Sequence, residues 1–182
     1  MSTPNGLLIA AATALLAAAC ATPASAPVAQ RYGLGSPLAE RELAGWNIDV
    51  AIDGRGLPPG RGSVAEGKAV YDAKCAACHG AKGEGRTANR LVAAAVKRPK
   101  VVKAVGTYWP HATTLYDYIN RAMPWDKPQS LRPDEVYAVC AYLLFLNGIV
   151  PESTVLDAAS LPGVRMPNRD GFTSPDPRPD TH

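Results

Sequence analysis

Cys75 and Cys78 are separated by two alanines and are followed at once by His79. This C-x-x-C-H spacing is typical of a c-type haem site, in which two thiols bind the porphyrin and the histidine becomes the proximal iron ligand. Zinc would need a second ligand pair at suitable spacing, which the sequence does not offer, and a redox dithiol would leave His79 unexplained. The pentapeptide occurs once, so the sequence predicts one covalent haem c.

The second axial position of the iron has three candidate ligands: Met123, Met166 and His111. Met123 is favoured because it lies in a loop 44 residues after His79 and directly before Pro124. A thioether is a soft ligand that favours Fe(II), so His/Met coordination raises the reduction potential and suits a carrier that accepts electrons. Met166 is the alternative ligand, and His111 is expected at a helix start. An open sixth position would instead favour a haem enzyme or a gas sensor.

Two aromatic residues and three glycines are further candidates for the haem pocket. Tyr108 and Trp109 are predicted to line it or to donate hydrogen bonds to a propionate, with ordinary core packing as the alternative. Gly80, Gly83 and Gly85 follow the attachment site, where backbone without side chains can fold closely around the proximal histidine. We expect a backbone carbonyl there to fix the second ring nitrogen of that histidine.

Three helices are predicted to position these residues, over about 64–74, 112–122 and 133–146. Ser63 and Glu66 form a capping box at the start of the first helix. Pro124 stops the second helix. The third begins at Pro133, a residue suited to a first helical turn, and Asn147-Gly148 closes it. No alternating pattern predicts a strand.

Apolar side chains indicate how these helices pack. In the second helix, Leu115, Tyr118, Ile119 and Ala122 recur at helical spacing and form one apolar face. The third helix is apolar nearly all round, which predicts deep burial. Cys140 lies within it and is therefore expected to be a buried free thiol.

The N-terminus predicts export. An uncharged apolar run over residues 7–19 has the length of a signal-peptide core and is too short to span a membrane. Small residues at Ala24 and Ala26 fit a cleavage site, so residues 1–26 are predicted to be a signal peptide. Alternatively, Cys20 stands in a degraded lipobox and would carry a lipid anchor. Either prediction places the mature protein in the bacterial periplasm.

The remaining chain divides into three parts. Its 182 residues, with 17 prolines and 16 glycines, suit one domain with extensions. Residues 27–62 are predicted to be a linker and N-terminal extension with a short helix within 36–46. Residues 63–148 form the predicted monohaem domain, and residues 149–182 form a C-terminal extension.

Positive charge collects around the haem motif. The net charge is +3, yet residues 55–103 hold 11 Lys and Arg against 3 Asp and Glu. One interpretation is electrostatic steering towards an acidic redox partner, and the other is an ordinary solvated face. Nucleic acid is not an expected partner, because the chain is predicted to be exported and lacks interleaved aromatic residues in its basic segment.

The order of helix, C-x-x-C-H, glycine loop, methionine loop and closing helix, with Tyr142 available to pack on Gly67 and Tyr71, resembles the class I cytochrome c fold. A closer resemblance, to the cytochrome subunit of the Sox sulfur dehydrogenase and of related bacterial sulfite dehydrogenases, extends to both sides. It rests on GWNIDV at 45–50, GLPPG at 56–60, VGTYWPHATTLYDYI at 105–119, SLRPDEVYAV at 130–139 and MPNRDGF at 166–172.

The resemblance implies an all-α fold in which three to five helices surround one covalent haem, with long irregular N- and C-terminal extensions. It implies Cys75 and Cys78 as attachment points, His79 as proximal ligand and Met123 as distal ligand. It further implies an electron-transfer protein, not an enzyme by itself. Its partners would be a molybdenum-containing sulfite- or sulfur-oxidising subunit and a downstream cytochrome c or oxidase. A freestanding shuttle for another periplasmic dehydrogenase is the alternative.

Overall fold

The computed structural model describes Tyr32, residues 34–93 and residues 102–173. Several predictions fall on residues outside this part of the chain: the signal peptide, its alternative at Cys20, and the basic residues Lys97, Arg98 and Lys100. The chain divides into two compact units, residues 1–38 and residues 39–182. In the first unit, all the described residues are exposed.

The second unit contains the helices that the structure describes. In chain order, its described elements are α1 (Glu40–Leu43), β1 (Arg61–Ser63), α2 (Val64–Lys74), α3 (Ala76–His79), α4 (Val105–Tyr108), α5 (Ala112–Ala122), α6 (Pro133–Leu146), β2 (Val155–Asp157) and a 3-10 turn, Leu161–Gly163. The three long helices predicted from the sequence are therefore confirmed. The short helix expected within 36–46 is confirmed only for the four residues of α1. None of the helices in the described part of the chain has both the length and the apolar character needed to cross a membrane.

The capping box at the start of α2 is confirmed. The Ser63 hydroxyl accepts a hydrogen bond from the Glu66 N–H at 3.2 Å, and the Glu66 carboxylate accepts one from the Ser63 N–H at 2.8 Å. Two N–H groups that a helix start leaves unpaired are thus satisfied. At the other end, the Cys75 N–H donates to the Tyr71 carbonyl, so α2 ends at the first residue of the haem motif.

Gly67 sets the closeness of α2 to α6. A Cβ atom at this position would lie 1.9 Å from the Ala138 carbonyl oxygen and 2.8 Å from Tyr142 Cβ, which no side chain could tolerate. The Tyr71 ring packs 5.3 Å from the Tyr142 ring, one turn further along. The predicted contact of Tyr142 with Gly67 and Tyr71 is confirmed.

Helix α6 is the centre of the core, as its composition predicts. Every residue from Val136 to Leu144 is buried, and the Cys140 thiol is fully enclosed. Burial alone raises the pKa of this thiol well above its ordinary value, because a thiolate would be desolvated there. Cys140 is therefore a buried free thiol, as expected.

The apolar face predicted for α5 is confirmed for Leu115 and Ile119, which are buried. Tyr116 is fully buried, with its ring 4.6 Å from that of Tyr137 on α6, whereas Tyr118 is 46% exposed. The single apolar face predicted for this helix was therefore incomplete. One side of α5 packs on α6, while Leu115, Tyr118 and Ile119 line a cavity.

Two short strands were not predicted. β1 and β2 pair antiparallel, with Gly62 opposite Leu156, and a Cβ at Gly62 would lie 2.3 Å from the Ala138 nitrogen. The pair therefore lies directly on α6. Strands of three residues are too short to show alternation in a sequence. They join the segment before α2 to the C-terminal extension.

Candidate haem site

The structure brings all six predicted site residues to one cavity of about 770 Å³. This volume is in the range of a cofactor pocket, roughly 300–1,000 Å³. Most of the lining is apolar. Helices α4, α5 and α6 and the loops provide the apolar residues Leu91, Val105, Leu115, Ile119, Leu131, Val139 and Leu143. The predicted site residues in the lining are Cys75, Cys78, His79, Tyr108, Trp109 and Met123.

The attachment motif lies where α2 passes into α3. Cys75 forms the C-cap of α2 and is half-buried, whereas Cys78 is exposed. The pKa of the Cys75 thiol is raised to about 11, mainly by burial; Lys74 lowers it and the neighbouring Cys78 raises it, each by less. Both cysteines line the same cavity, as attachment to one porphyrin requires.

The ring of His79 is fixed by the backbone. Its Nδ1 lies 2.7 Å from the Asn89 carbonyl oxygen. A carbonyl accepts only, so Nδ1 carries the proton and donates, which leaves Nε2 with a free lone pair for a metal. The sequence predicted a carbonyl in this role, and the structure identifies it as that of Asn89.

The glycine loop between His79 and Asn89 depends on backbone conformations that favour glycine. Gly80, Gly83 and Gly85 have φ values of 83°, 70° and 87°. The Gly85 N–H donates to the His79 carbonyl at 2.8 Å, and the buried Tyr71 hydroxyl donates to the Gly80 carbonyl at 2.8 Å. The loop is therefore tied both to the histidine and to the core.

The three candidates for the sixth ligand lie in different places. Met123 directly follows α5, and its N–H donates to the Ile119 carbonyl at 3.0 Å; its side chain lines the cavity. Met166 is 1% exposed within the hydrophobic core and is not among the lining residues. His111 is the N-cap of α5, as expected, and also lies outside the lining.

His111 has another feature. Its Nδ1 is buried and has no hydrogen-bond partner within the part of the chain that the structure describes. Burial lowers the pKa of His111, and the positive charge of Arg169 lowers it further. Both effects favour the neutral imidazole at the start of α5.

Tyr108 and Trp109 form one wall of the cavity at the end of α4. Their rings meet edge to face at 5.5 Å, and Trp109 continues to Tyr118 at 6.1 Å. This is a row of aromatic side chains along the cavity. The structure places both Tyr108 and Trp109 in the cavity wall. Their hydrogen bond to a haem propionate stays a prediction.

One supporting residue was predicted only as a helix terminator. The Asn147 amide donates to the Leu91 carbonyl at 3.1 Å and to the Leu143 carbonyl at 2.8 Å, and its Oδ1 accepts from the Gly106 N–H at 3.2 Å. It therefore joins α6 to α4 and to the loop at Leu91, both of which contribute to the cavity wall. No local signal could have revealed these partners, because each contact beyond α6 is to backbone more than 40 residues away.

The cavity rim carries mainly positive charge. Lys74 is paired with Glu135 at 2.8 Å, and the Lys103 ammonium lies 5.1 Å from the centre of the Tyr108 ring. An adjoining open groove of about 550 Å³ is lined by three basic residues, Arg86, Arg90 and Lys103, and by one carboxylate, Glu84.

Comparison with known proteins agrees with this geometry. The family model for cytochrome c matches residues 64–147. A chain of the crystal structure of the sulfane dehydrogenase SoxCD from Paracoccus pantotrophus is 40% identical, with a TM-score of 0.72 over 81% of this chain and 74% of that chain. The chain belongs to the class I c-type cytochromes. A comparison of this cytochrome with curated protein sequences found no match.

The cytochrome binds haem c covalently, and the cavity fits that group. It combines two thiols at C-x-x-C spacing, an imidazole whose Nδ1 is already engaged, and apolar walls for the porphyrin. Cys75 and Cys78 would hold the porphyrin edge, and His79 and Met123 would hold the iron. The bound haem supplies reversible one-electron chemistry between Fe(III) and Fe(II).

Proposed function

We propose that this cytochrome is a periplasmic electron carrier for the oxidation of a sulfur compound. In this proposal it accepts electrons from a molybdenum-containing subunit that oxidises sulfite or sulfane sulfur. It then passes them to a downstream cytochrome c or oxidase of the respiratory chain. Bond chemistry on the sulfur compound belongs to the partner subunit, and the cytochrome contributes electron transfer.

The extent of the structural match carries the proposal. The cytochrome c family model matches residues 64–147, which is less than half of the 182 residues. The match to the sulfane dehydrogenase structure covers 81% of the chain and so includes segments outside the haem domain. A freestanding carrier has little use for such segments, whereas a dedicated subunit can use them to contact its partner.

Charge beside the cavity supports an acidic partner surface. Arg86, Arg90 and Lys103 line the groove next to the haem cavity. Among the described residues, none of the three has a carboxylate within ion-pair distance, so their charges are available to a partner. Opposite charge on the partner would increase the association rate, and salt would reduce this effect.

The decisive experiment is reduction of the oxidised holoprotein by a molybdenum sulfite- or sulfane-oxidising subunit. With the sulfur substrate present, the reduced α band should appear rapidly, and the two proteins should co-purify. Without substrate, or with subunit lacking molybdenum, no reduction is expected. A cytochrome that stays monomeric and is reduced equally fast by unrelated dehydrogenases would contradict the proposal and support a freestanding shuttle.

A matched pair of variants tests the basic rim. Arg86→Ala should slow reduction at low salt by a few-fold and weaken its salt dependence, because one steering charge is lost. Arg55→Ala removes the same charge from an exposed residue that is paired with Asp53 at 2.9 Å and lies outside both cavities. The Arg55 variant should keep the original rate. Equal effects of the two variants would contradict a docking role for the rim.

The periplasmic location rests on the predicted signal peptide and needs its own test. After expression of the full chain in a bacterium with haem-attachment machinery, the mature protein should be found in the periplasmic fraction. Its mass should show one haem and a start near residue 27, or a lipid on Cys20. An uncleaved, haem-free chain in the cytoplasm would contradict this part of the proposal.

A further inference from the structure

The C-terminal extension contains the MPNRDGF segment, residues 166–172. None of these residues lines the haem cavity, so haem binding does not explain the role of the segment. Met166 anchors it: the side chain is 1% exposed and belongs to the same core cluster as Leu161 and the buried residues of α6. The backbone then turns, with the Arg169 N–H donating to the Met166 carbonyl at 3.1 Å. The segment is therefore fixed at its start by apolar burial.

Asn168 connects this segment to the cavity wall. Its side-chain Nδ2 donates to the Tyr108 carbonyl oxygen at 2.7 Å, across 60 residues of sequence. Tyr108 is the last residue of α4, and the final carbonyls of a helix have no partner within it. Asn168 supplies that partner. The hydrogen bond holds the chain at the point where α4 passes into Trp109.

Gly171 keeps the Asn168 amide in place. The Gly171 N–H donates to the Asn168 carbonyl at 3.1 Å, and a Cβ at Gly171 would lie 1.9 Å from Asn168 Oδ1. Any side chain at this position would displace the amide. The glycine of the segment is thus explained by the hydrogen bond between Asn168 and Tyr108.

Phe172 makes the second contact. Its ring meets the Tyr108 ring edge to face, with centres 5.4 Å apart. Tyr108 is therefore held by the segment at both its carbonyl and its ring, and its other ring neighbour is Trp109 at 5.5 Å. Both Tyr108 and Trp109 line the haem cavity.

We propose that Asn168 is a positioning residue, which, with Phe172, holds the Tyr108–Trp109 wall against the haem and keeps water from that side. The apolar shell around a haem controls solvent access and thereby its reduction potential. Water near the iron stabilises the more highly charged Fe(III) state. Loosening this wall should therefore lower the potential without removing any iron ligand.

The test uses the full-length holoprotein with Asn168→Ala and a matched control, Arg165→Ala. Arg165 lies in the same extension, but its bond to Asp170, at 3.2 Å, joins two exposed side chains away from the cavity. In Asn168→Ala, we expect a lower reduction potential. We also expect roughly fivefold faster hydrogen exchange at the Thr107 and Tyr108 amides, as befits the loss of one hydrogen bond. Arg165→Ala should leave both quantities unchanged.

Two outcomes would overturn the proposal: Asn168→Ala with unchanged potential and exchange, or Arg165→Ala with the same changes as Asn168→Ala. If Asn168→Ala yields no holoprotein, Phe172→Leu takes its place, since it removes the ring contact and keeps the hydrogen bond. Phe172→Leu should shift the potential and the exchange in the same directions by smaller amounts. Unchanged values in this variant would then overturn the proposal.

Discussion

The α2–α6 crossing and the haem cavity share Tyr71 but are specified in different ways. At the crossing, one residue decides the fit, because Gly67 lies so close to Ala138 that a Cβ has no room. At the cavity, many side chains need only be apolar, and a few must supply defined chemistry: two thiols, an imidazole and a thioether. A site that encloses a cofactor therefore tolerates variation in its walls better than a direct helix contact does.

The largest expected effect is at the iron. Met123→Leu keeps an apolar side chain of similar size in the cavity but removes the sulfur. The far-red band of methionine bound to Fe(III) should disappear completely, the reduction potential should fall, and the reduced protein should bind carbon monoxide. Visible spectroscopy with and without carbon monoxide measures these changes.

Met166→Leu is the matched control for this prediction, since Met166 is buried in the core and lies outside the cavity lining. The band should persist in this variant. Loss of the band in Met166→Leu, with Met123→Leu unaffected, would reverse the ligand assignment.

The crossing is tested by Gly67→Val. Because the new side chain meets the Ala138 carbonyl and Tyr142, α2 must move away from α6, and the free energy of unfolding should fall by at least about 3 kcal/mol. Ala69→Val places the same side chain on an exposed position of α2 and should cost only about 0.5 kcal/mol. Denaturant unfolding of both holoproteins provides the comparison, and similar losses would mean that the crossing is adaptable.

Tyr71→Phe concerns the residue that the two regions share. The ring remains between α2 and α6, but the Gly80 carbonyl loses the donor that reaches it at 2.8 Å in a buried setting. The expected loss is about 1–2 kcal/mol in unfolding free energy. Tyr118→Phe, at a side chain that is 46% exposed, is the control and should be close to neutral. Equal stabilities for these two variants would show that the Tyr71 hydroxyl does not support the loop.

The smallest effect concerns pH. The hydrogen bond from Lys74 holds the pKa of Glu135 below its ordinary value of 4.5, and the Arg132 N–H lowers it further. A depressed folded-state pKa adds stability above pH 4.5, and this stability is lost as the pH falls through the lower value. Glu135→Gln should therefore cost about 0.5 kcal/mol at pH 7, and this cost should disappear as the pH falls through the lowered pKa of Glu135.

Thermal unfolding across this pH range, with the exposed Glu152→Gln as control, tests the pH effect. A stability difference between Glu135→Gln and the original protein that stays constant from neutral to acidic pH would contradict it.

The sequence predicted the three long helices, because their signals are local. The capping box at Ser63, the proline at position 133 and the apolar spacing in 112–122 each act within one or two helical turns. It did not predict the β1–β2 pair, and it omitted Tyr116 from the buried face of α5. Pairing of Gly62 with Leu156, and packing of Tyr116 on Tyr137, depend on contacts between residues far apart in the chain.

The sequence by itself determined the covalent chemistry of this protein, since Cys75, Cys78 and His79 are adjacent in the chain and need no fold to be recognised. Only the tertiary structure decided which methionine reaches the cavity, which carbonyl orients His79, and which amide holds Tyr108. Met123 lines the cavity, the Asn89 carbonyl lies within hydrogen-bond distance of His79 Nδ1, and the Asn168 amide donates to the Tyr108 carbonyl. Every residue has a backbone carbonyl, so the sequence does not show which carbonyl accepts a given hydrogen bond. The partner is defined only when segments that are distant in the chain pack together.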